Sequence, residues 1–167
     1  MFKHTFAAAT LLLSPVVQAH DYDSRFRGDL NGKSFHADDT YSNGTKTYNE
    51  NNRGVGIAYS FNQYIEVNAG SFVNSFHDRS NYFGGNLGIP FQVTRYLSIR
   101  PSIQFGGVSG YESITPDAVL INDTITPVAL PSVSFDIADR FQLNVEYIPG
   151  GITAKSSVYI LRAGIWF

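Results

Sequence analysis

Apolar and polar side chains alternate along the chain from residue 53 to the C-terminus. The segment YIEVNAGSFVN at 64–74 is apolar at one set of alternate positions and mostly polar at the other. Segments at 96–105, 141–147 and 157–167 repeat the arrangement. A period of two residues is typical of β-strands whose two faces meet different surroundings. The pattern therefore predicts strands, and no apolar run after residue 19 approaches the ~20 residues of a membrane helix.

Turn-forming residues divide the chain into eight predicted strands. We place them at 29–37, 54–61, 64–74, 81–93, 96–108, 124–136, 141–149 and 156–167. The short connections are 62–63, 94–95 and 138–139, and the mostly longer, more polar ones are 38–53, 75–80, 109–123 and 150–155. Outer-membrane barrels have short periplasmic turns and longer external loops. The sequence thus predicts an all-β fold, an eight-stranded antiparallel transmembrane β-barrel, with a soluble β-sandwich as the alternative that alternates in the same way.

The N-terminus has the features of a secretory signal. A basic start precedes an apolar run at 6–17, and the triplet VQA at 17–19 resembles a cleavage site for signal peptidase. We therefore assign 1–19 to a signal peptide and 20–167 to one barrel domain. Export of this kind, together with the barrel pattern, predicts the cell outer membrane as the location.

Composition narrows the function classes further. Without the predicted signal the chain carries 11 basic and 14 acidic residues, a net charge of about −3 that argues against nucleic-acid binding. The chain has no cysteine, so stability has to come from a packed core or a closed hydrogen-bonded architecture. It also has no phosphate-binding glycine loop, no zinc-ligand spacing and no Gly-x-Ser-x-Gly elbow. We expect no metal and no cofactor.

Charged residues recur on the polar face of the predicted strands, with both signs represented. They are Glu66, Arg100, Glu146 and Arg162. If this face lines a narrow lumen, the four must be paired, because an isolated buried charge costs several kcal/mol. We interpret them as a structural network inside the barrel.

Several motifs together resemble the outer-membrane lipid A palmitoyltransferases. The segment SFHADDTYSNGTKTYNENNRGVGIAYS, starting at Ser34, is similar to their first hairpin: a histidine at the outer end of a strand, a long polar loop, Tyr-Asn-Glu and a glycine-rich strand. SFVNSF at 71–76 lies where the family has an Asp-Ser pair, with Asn74 in place of the Asp. FQLNVEYIPGG at 141–151 is similar to the family's penultimate strand. The resemblance spans most of the chain after residue 20.

The resemblance implies a catalytic site of His36, Ser75 and Asn74. A histidine beside a serine can provide proton transfer and positioning for acyl transfer. Asn74 can orient an imidazole but cannot stabilise imidazolium, and in serine proteases the Asp-to-Asn change costs ~10⁴ in turnover. We therefore consider the loop carboxylates Asp38, Asp39 and Asp78 as substitutes. His77 is a rival base.

Prolines in two adjacent predicted strands form a second part of the resemblance. Proline cannot donate to a β-ladder, so it is normally excluded from the middle of a sheet. Pro127 and Pro131 lie in the sixth predicted strand and Pro149 ends the seventh. In the family, similar prolines leave a gap through which a phospholipid acyl chain reaches the lumen. The resemblance thus implies substrate binding by these prolines and Tyr147, although Pro127 and Pro149 also fit simple strand ends.

One expected difference from the family is the N-terminal amphipathic helix, which we predict to be short or absent because 20–35 has little helical periodicity. Two functions stay open. The first is transfer of a palmitate-like chain from phospholipid to lipid A. The second is a catalytically inactive barrel that acts through its surface loops, in adhesion, receptor masking or envelope modification. In both, the expected partners are membrane lipids, phospholipid and lipopolysaccharide, and the chain is expected to be a monomer.

Overall fold

The computed structural model describes residues 24–38, 40–41, 46–111, 125–150 and 156–167. The strands are β1 (Arg25–His36), β2 (Thr40–Tyr41), β3 (Lys46–Thr47), β4 (Asn51–Ser60), β5 (Ile65–Val73), β6 (Arg79–Gly88), β7 (Phe91–Thr94), β8 (Leu97–Val108), β9 (Thr126–Ile137), β10 (Phe141–Ile148) and β11 (Val158–Trp166). The predicted signal peptide and the question of an N-terminal helix fall on residues outside these ranges. Within them, no helix has the length and apolarity that a membrane crossing requires.

Eight antiparallel strands form one sheet that closes on itself. The order is β6-β5-β4-β1-β11-β10-β9-β8, and pairing of β6 with β8 completes the cylinder. Successive register partners of Asp29 can be followed around the barrel in both directions. One direction reaches Val108 of β8 and the other reaches Ser98 of β8, so the sheet closes with an offset of ten residues. Such a stagger requires strongly tilted strands, as in other small barrels. The predicted barrel is confirmed, and the sandwich alternative is wrong because one sheet pairs with itself.

The outer surface of the cylinder is apolar, which is the arrangement needed in lipid. Leu30, Val55 and Ile57 are more than half exposed, at 62%, 61% and 53%. Other outward side chains on the same belt are Val67, Phe83, Leu87, Ile103, Phe105, Leu143 and Ile165. Closure also removes most of the free sheet edge that lipid does not tolerate, leaving one stretch between β9 and β10 described below.

The lumen is polar in the half near the short turns. Arg27 donates to both carboxylate oxygens of Glu66 at 2.7 and 2.9 Å and also binds Asp29 at 2.6 Å. Arg100 binds Glu66 at 3.3 Å. The remaining predicted pair, Arg162 and Glu146, lies at 2.6 Å. The pairing of the four charges is therefore confirmed, while Arg27 is an additional member that lies before the predicted start of the first strand.

Beyond shifts of up to three residues at other strand ends, the structure differs from the sequence prediction at three places. The first strand starts at Arg25 instead of 29. The predicted strand 81–93 is two strands, because Ile89-Pro90 interrupts it, and β7 pairs only with β8. A small hairpin of β2 and β3 lies in the first long loop, where no strand was predicted. The break between β6 and β7 at Ile89-Pro90 has a local cause, because proline lacks the N–H that a continuous ladder would need.

Candidate active site

His36 ends β1 at the rim that carries the long loops. Its side chain is only 2% exposed, and Nδ1 has no hydrogen-bond partner among the described residues. The imidazole stacks on the ring of Tyr48, with centroids 4.1 Å apart and planes 3° from parallel. Burial favours the neutral form of an imidazole, which is the form that accepts a proton.

A carboxylate lies next to this imidazole. Glu50 Oε1 is 3.8 Å from His36 Nδ1 and accepts the backbone N–H of His36 at 3.2 Å. The Glu50 side chain remains 44% exposed, so water reaches one side of the pair. Glu50 also accepts, through its backbone carbonyl, the N–H of Ser34 at 3.0 Å. The Tyr-Asn-Glu segment is therefore hydrogen-bonded to the end of β1, and its carboxylate points toward the histidine.

The turn that carries Ser75 follows β5. Asn74 is fully buried and organises this turn. Its amide nitrogen donates to the Ser80 hydroxyl at 3.1 Å and the Gly110 carbonyl at 2.7 Å. Its amide oxygen accepts from the backbone N–H groups of Phe76 and Asp78 at 2.8 and 3.0 Å. These contacts use the hydrogen-bonding capacity of the amide, so Asn74 acts on the position of Ser75 and not on the imidazole.

The loop segment 48–50 joins the two predicted catalytic residues. The backbone N–H of Asn49 donates to the Ser75 carbonyl at 2.8 Å, and its side chain donates to the Asn74 carbonyl at 2.9 Å. Since Tyr48 and Glu50 on either side contact His36, the structure brings His36 and the Ser75 turn to the same segment. Half-buried Ser75 leaves part of its surface open to a ligand.

Aromatic rings continue across the mouth of the barrel from this site. Tyr48 meets Phe76 edge to face at 5.7 Å, and Phe76 meets Tyr111 in the same way at 6.1 Å. Offset and edge-to-face pairs are favourable and hold ring orientations. The rings therefore connect the first, second and third long loops at the loop-bearing rim.

The predicted proline pair lies beside an interruption in the barrel wall. Pro127 and Pro131 face outward on β9. On one side of β9 their register partners are Gly107 and Ile103 of β8. On the other side, the β9–β10 ladder begins at Phe141↔Ile137 and ends at Glu146↔Ser132. Residues 126–131 of β9 thus have no ladder partner on β10.

The β10 side of this interruption contains the remaining predicted residues. Tyr147 and Ile148 pair with β11 instead, opposite Tyr159 and Val158. Tyr147 faces outward and packs on the ring of Tyr159 at 5.0 Å, and Pro149 follows the end of β10. The β9–β10 ladder is therefore interrupted over the half of β9 nearest the long loops.

The lumen behind this interruption is apolar. Leu130 and Val158 point inward and are 6% exposed. Further inward-facing residues of this half are Phe72, Val108, Val128, Ile148 and Ile160. Arg27, Glu66 and Arg100 lie nearer the short turns, whereas Glu146, paired with Arg162, borders the interruption. Apolar side chains therefore line part of the lumen beside the interruption.

Glu50 is a candidate site residue that the sequence did not single out, since its carboxylate lies beside the His36 imidazole. Of the carboxylates considered from the sequence, Asp38 and Asp78 are exposed, and Asp39 lies outside the described residues. His77 is also exposed, in a turn with a positive φ of 71°. The available signal was the position of Glu50 in the Tyr-Asn-Glu tripeptide. Among the described residues, no group of three His, Cys, Asp or Glu side chains suits a metal ion.

No protein-family model matches the chain, and no curated protein matches it. Solved structures do. The de novo designed barrel TMB2.3 is 20% identical with a TM-score of 0.53, over 89% of this chain and 96% of that one. Another de novo designed transmembrane β-barrel is 16% identical with a TM-score of 0.50, over 86% and 95%. The chain has a transmembrane β-barrel fold.

A natural protein with a similar topology is Ail, the attachment invasion locus protein of Yersinia pestis. It is 15% identical with a TM-score of 0.41, over 87% of this chain and 99% of Ail. At such identities the likeness concerns the fold alone. The resemblance to lipid A palmitoyltransferases therefore remains a prediction from the motifs.

Proposed function

We propose that this chain is an outer-membrane acyltransferase that moves a palmitate-like chain from a phospholipid to a hydroxyl of lipid A. The observation that carries the proposal is the buried His36 imidazole beside the Glu50 carboxylate, on the loop segment that binds the Ser75 turn. A histidine, a carboxylate and a hydroxyl residue on one rim support the proposal, because acyl transfer needs a base, a partner for the imidazolium and an oxyanion donor. The long loops mark that rim as external.

The chemistry needs no group beyond these side chains. His36 takes the proton of the lipid A hydroxyl as its oxygen attacks the donor ester carbonyl, and the Ser75 hydroxyl donates to the oxyanion that forms. The ester C–O bond then breaks. His36 returns its proton to the departing oxygen, which leaves as lysophospholipid. Glu50 stabilises the imidazolium between these steps, and Asn74 holds the Ser75 turn.

The donor would reach the site through the wall between β9 and β10. The opening faces lipid, it is bordered by Pro127, Pro131 and Pro149, and apolar side chains lie behind it. A hydrocarbon chain leaving the bilayer there exchanges one apolar environment for another, at little cost. The Arg162–Glu146 pair at the edge of the interruption, and the polar network nearer the short turns, would limit how deep the chain goes.

The proposal is tested by weighing lipid A. We expect expression in an outer membrane without other acyltransferases to add the mass of one acyl chain to lipid A, as measured by mass spectrometry. Ser75→Ala should reduce this product strongly, since it removes the oxyanion donor. An unchanged lipid A profile from a well-folded barrel would contradict acyl transfer.

An engineered disulfide across the interruption tests the donor route. The chain has no cysteine of its own that could form a competing bond. Continuing the β9–β10 register places Ile148 opposite Leu130 across the interruption. We expect oxidised Leu130→Cys/Ile148→Cys to lose acyl transfer and to recover it on reduction. Val133→Cys/Val145→Cys is the matched control, since these residues are partners within the closed ladder. Full activity of the oxidised test pair would contradict this route.

A second candidate is the catalytically inactive barrel that acts through its loops. Asn74 favours it, because this position has no carboxylate and its amide is committed to the turn. On this reading the aromatic contacts between loops shape a surface for adhesion or receptor masking. The lipid A measurement separates the two candidates.

A further inference from the structure

The outward face of the barrel carries charge at one place only. Of the outward-facing residues on the eight barrel strands, all within the described part of the chain, three are charged. They are Lys33 on β1, Arg53 on β4 and Arg79 on β6, and we name them the basic row. All three are positive and all are exposed.

The direction of the three side chains follows from their neighbours. Each is adjacent in sequence to a residue that is buried in the lumen. These neighbours are Ser34, Asn52 and Ser80, at 2%, 5% and 0% exposure. Because successive residues of a strand point to opposite faces, the basic row points away from the lumen.

The register places the basic row at one level near the loop rim. Lys33 is the partner of Asn51, which is two residues from Arg53. Arg79 is the partner of Val73 at the end of β5. A basic side chain on the lipid face is costly at the middle of the bilayer and tolerated near the interface. The level therefore corresponds to lipid headgroups.

The basic row is available to an anion. Arg79 Nε is held by the Ser71 hydroxyl at 3.0 Å, and the Asn51 amide oxygen can accept from the Arg53 guanidinium at 3.1 Å. Among the described residues, no carboxylate pairs with Lys33, Arg53 or Arg79. Exposed Asp78 precedes Arg79 but forms no ion pair with it within these ranges. Guanidinium groups bind phosphate oxygens through several donors at once.

We propose that the basic row binds the phosphate groups of lipid A in the outer leaflet. The inference rests on the external orientation given under the proposed function, and not on catalysis. The three cations span strands β1 to β6, which suits a headgroup with phosphates at two separated positions better than a single phosphodiester. The strands that end at His36 and before Ser75 belong to the same sector, so a bound lipid A lies beside the candidate site.

The test measures lipid retention by the purified, folded full-length barrel, using native mass spectrometry with lipid A that carries both phosphates. We expect Arg53→Gln/Arg79→Gln to retain at least about tenfold less lipid A than the wild type, because each change removes one positive charge that attracts anionic headgroups. The matched control is Arg95→Gln/Arg140→Gln, which removes the same charge from the opposite rim. The control should retain lipid A as the wild type does.

Two further probes define the ligand. Wild type should lose affinity when monophosphoryl lipid A replaces the bisphosphorylated form and should bind phosphatidylglycerol weakly. Equal retention of lipid A by both double variants would overturn the inference, as would equal binding of phosphatidylglycerol and lipid A. If lipid A binds through the basic row but no acyl transfer occurs, the proposed function is overturned and the inference about the basic row is not.

Discussion

Replacing Glu66 with Gln is expected to lower the free energy of unfolding by about 3–5 kcal/mol, the cost of removing one partner from a buried ion network. Glu66 is 1% exposed and receives hydrogen bonds from both Arg27 and Arg100, which are each 2% exposed. Glutamine keeps the size of the side chain but removes the negative charge. Arg27 would keep Asp29 as a partner, while Arg100 would lose its only ion pair among the described residues.

Denaturant unfolding of the barrel in detergent or lipid vesicles measures this effect. Asp78→Asn is the matched control, because it removes a carboxylate from an exposed turn and should change stability by less than about 0.5 kcal/mol. Adding Arg100→Met to Glu66→Gln should restore part of the loss, since it removes the unpaired cation. A Glu66→Gln barrel as stable as the wild type would mean that water or another group satisfies these arginines.

Removing the carboxylate beside His36 is expected to slow acyl transfer by about 10²–10⁴-fold in Glu50→Gln, and His36→Ala should abolish it. Glutamine can still accept the backbone N–H of His36, so the end of β1 keeps its shape. It cannot stabilise the imidazolium that forms when His36 takes a proton. The loss should therefore fall on kcat, with little change in KM.

Transfer rates in mixed micelles of phospholipid and lipid A check this expectation. Asp38→Asn serves as the control, because Asp38 lies on the same loop but its exposed carboxylate makes no contact with the imidazole within the described residues. It should keep nearly full activity. Wild-type rates in Glu50→Gln would rule out a role for this carboxylate, and equal losses in both variants would point to a general effect of the loop.

Local features of the sequence were enough to predict most of the wall. The two-residue period shows which side chains of a strand share a face, and that property depends only on neighbouring residues. Glu66, Arg100, Glu146 and Arg162 were assigned to the lumen in this way. Glycine and polar residues at the start of β1 weaken the alternation there, so the sequence predicts a start four residues too late and leaves Arg27 outside the strand.

The candidate site depended far more on the tertiary structure. Tyr48, Asn49 and Glu50 were visible as a motif, but their meeting with His36 requires the first loop to fold back on the end of β1. Asn74 was compared with a catalytic aspartate from its place in the motif alone. Its burial and its contacts with Ser80 and Gly110 depend on strands that are distant in sequence.

The sequence by itself determined which side chains of each strand share a face, because alternation and turn residues act locally, and it thereby predicted a membrane-spanning barrel with a sandwich as the alternative. The tertiary structure decided that one sheet closes on itself, and it set the stagger of the strands, the end of the β9–β10 ladder, the level of the basic row and the partner of His36. Each of these depends on which distant residues become neighbours. Register and loop docking are set by hydrogen bonds and packing across the whole barrel, and no local pattern encodes them.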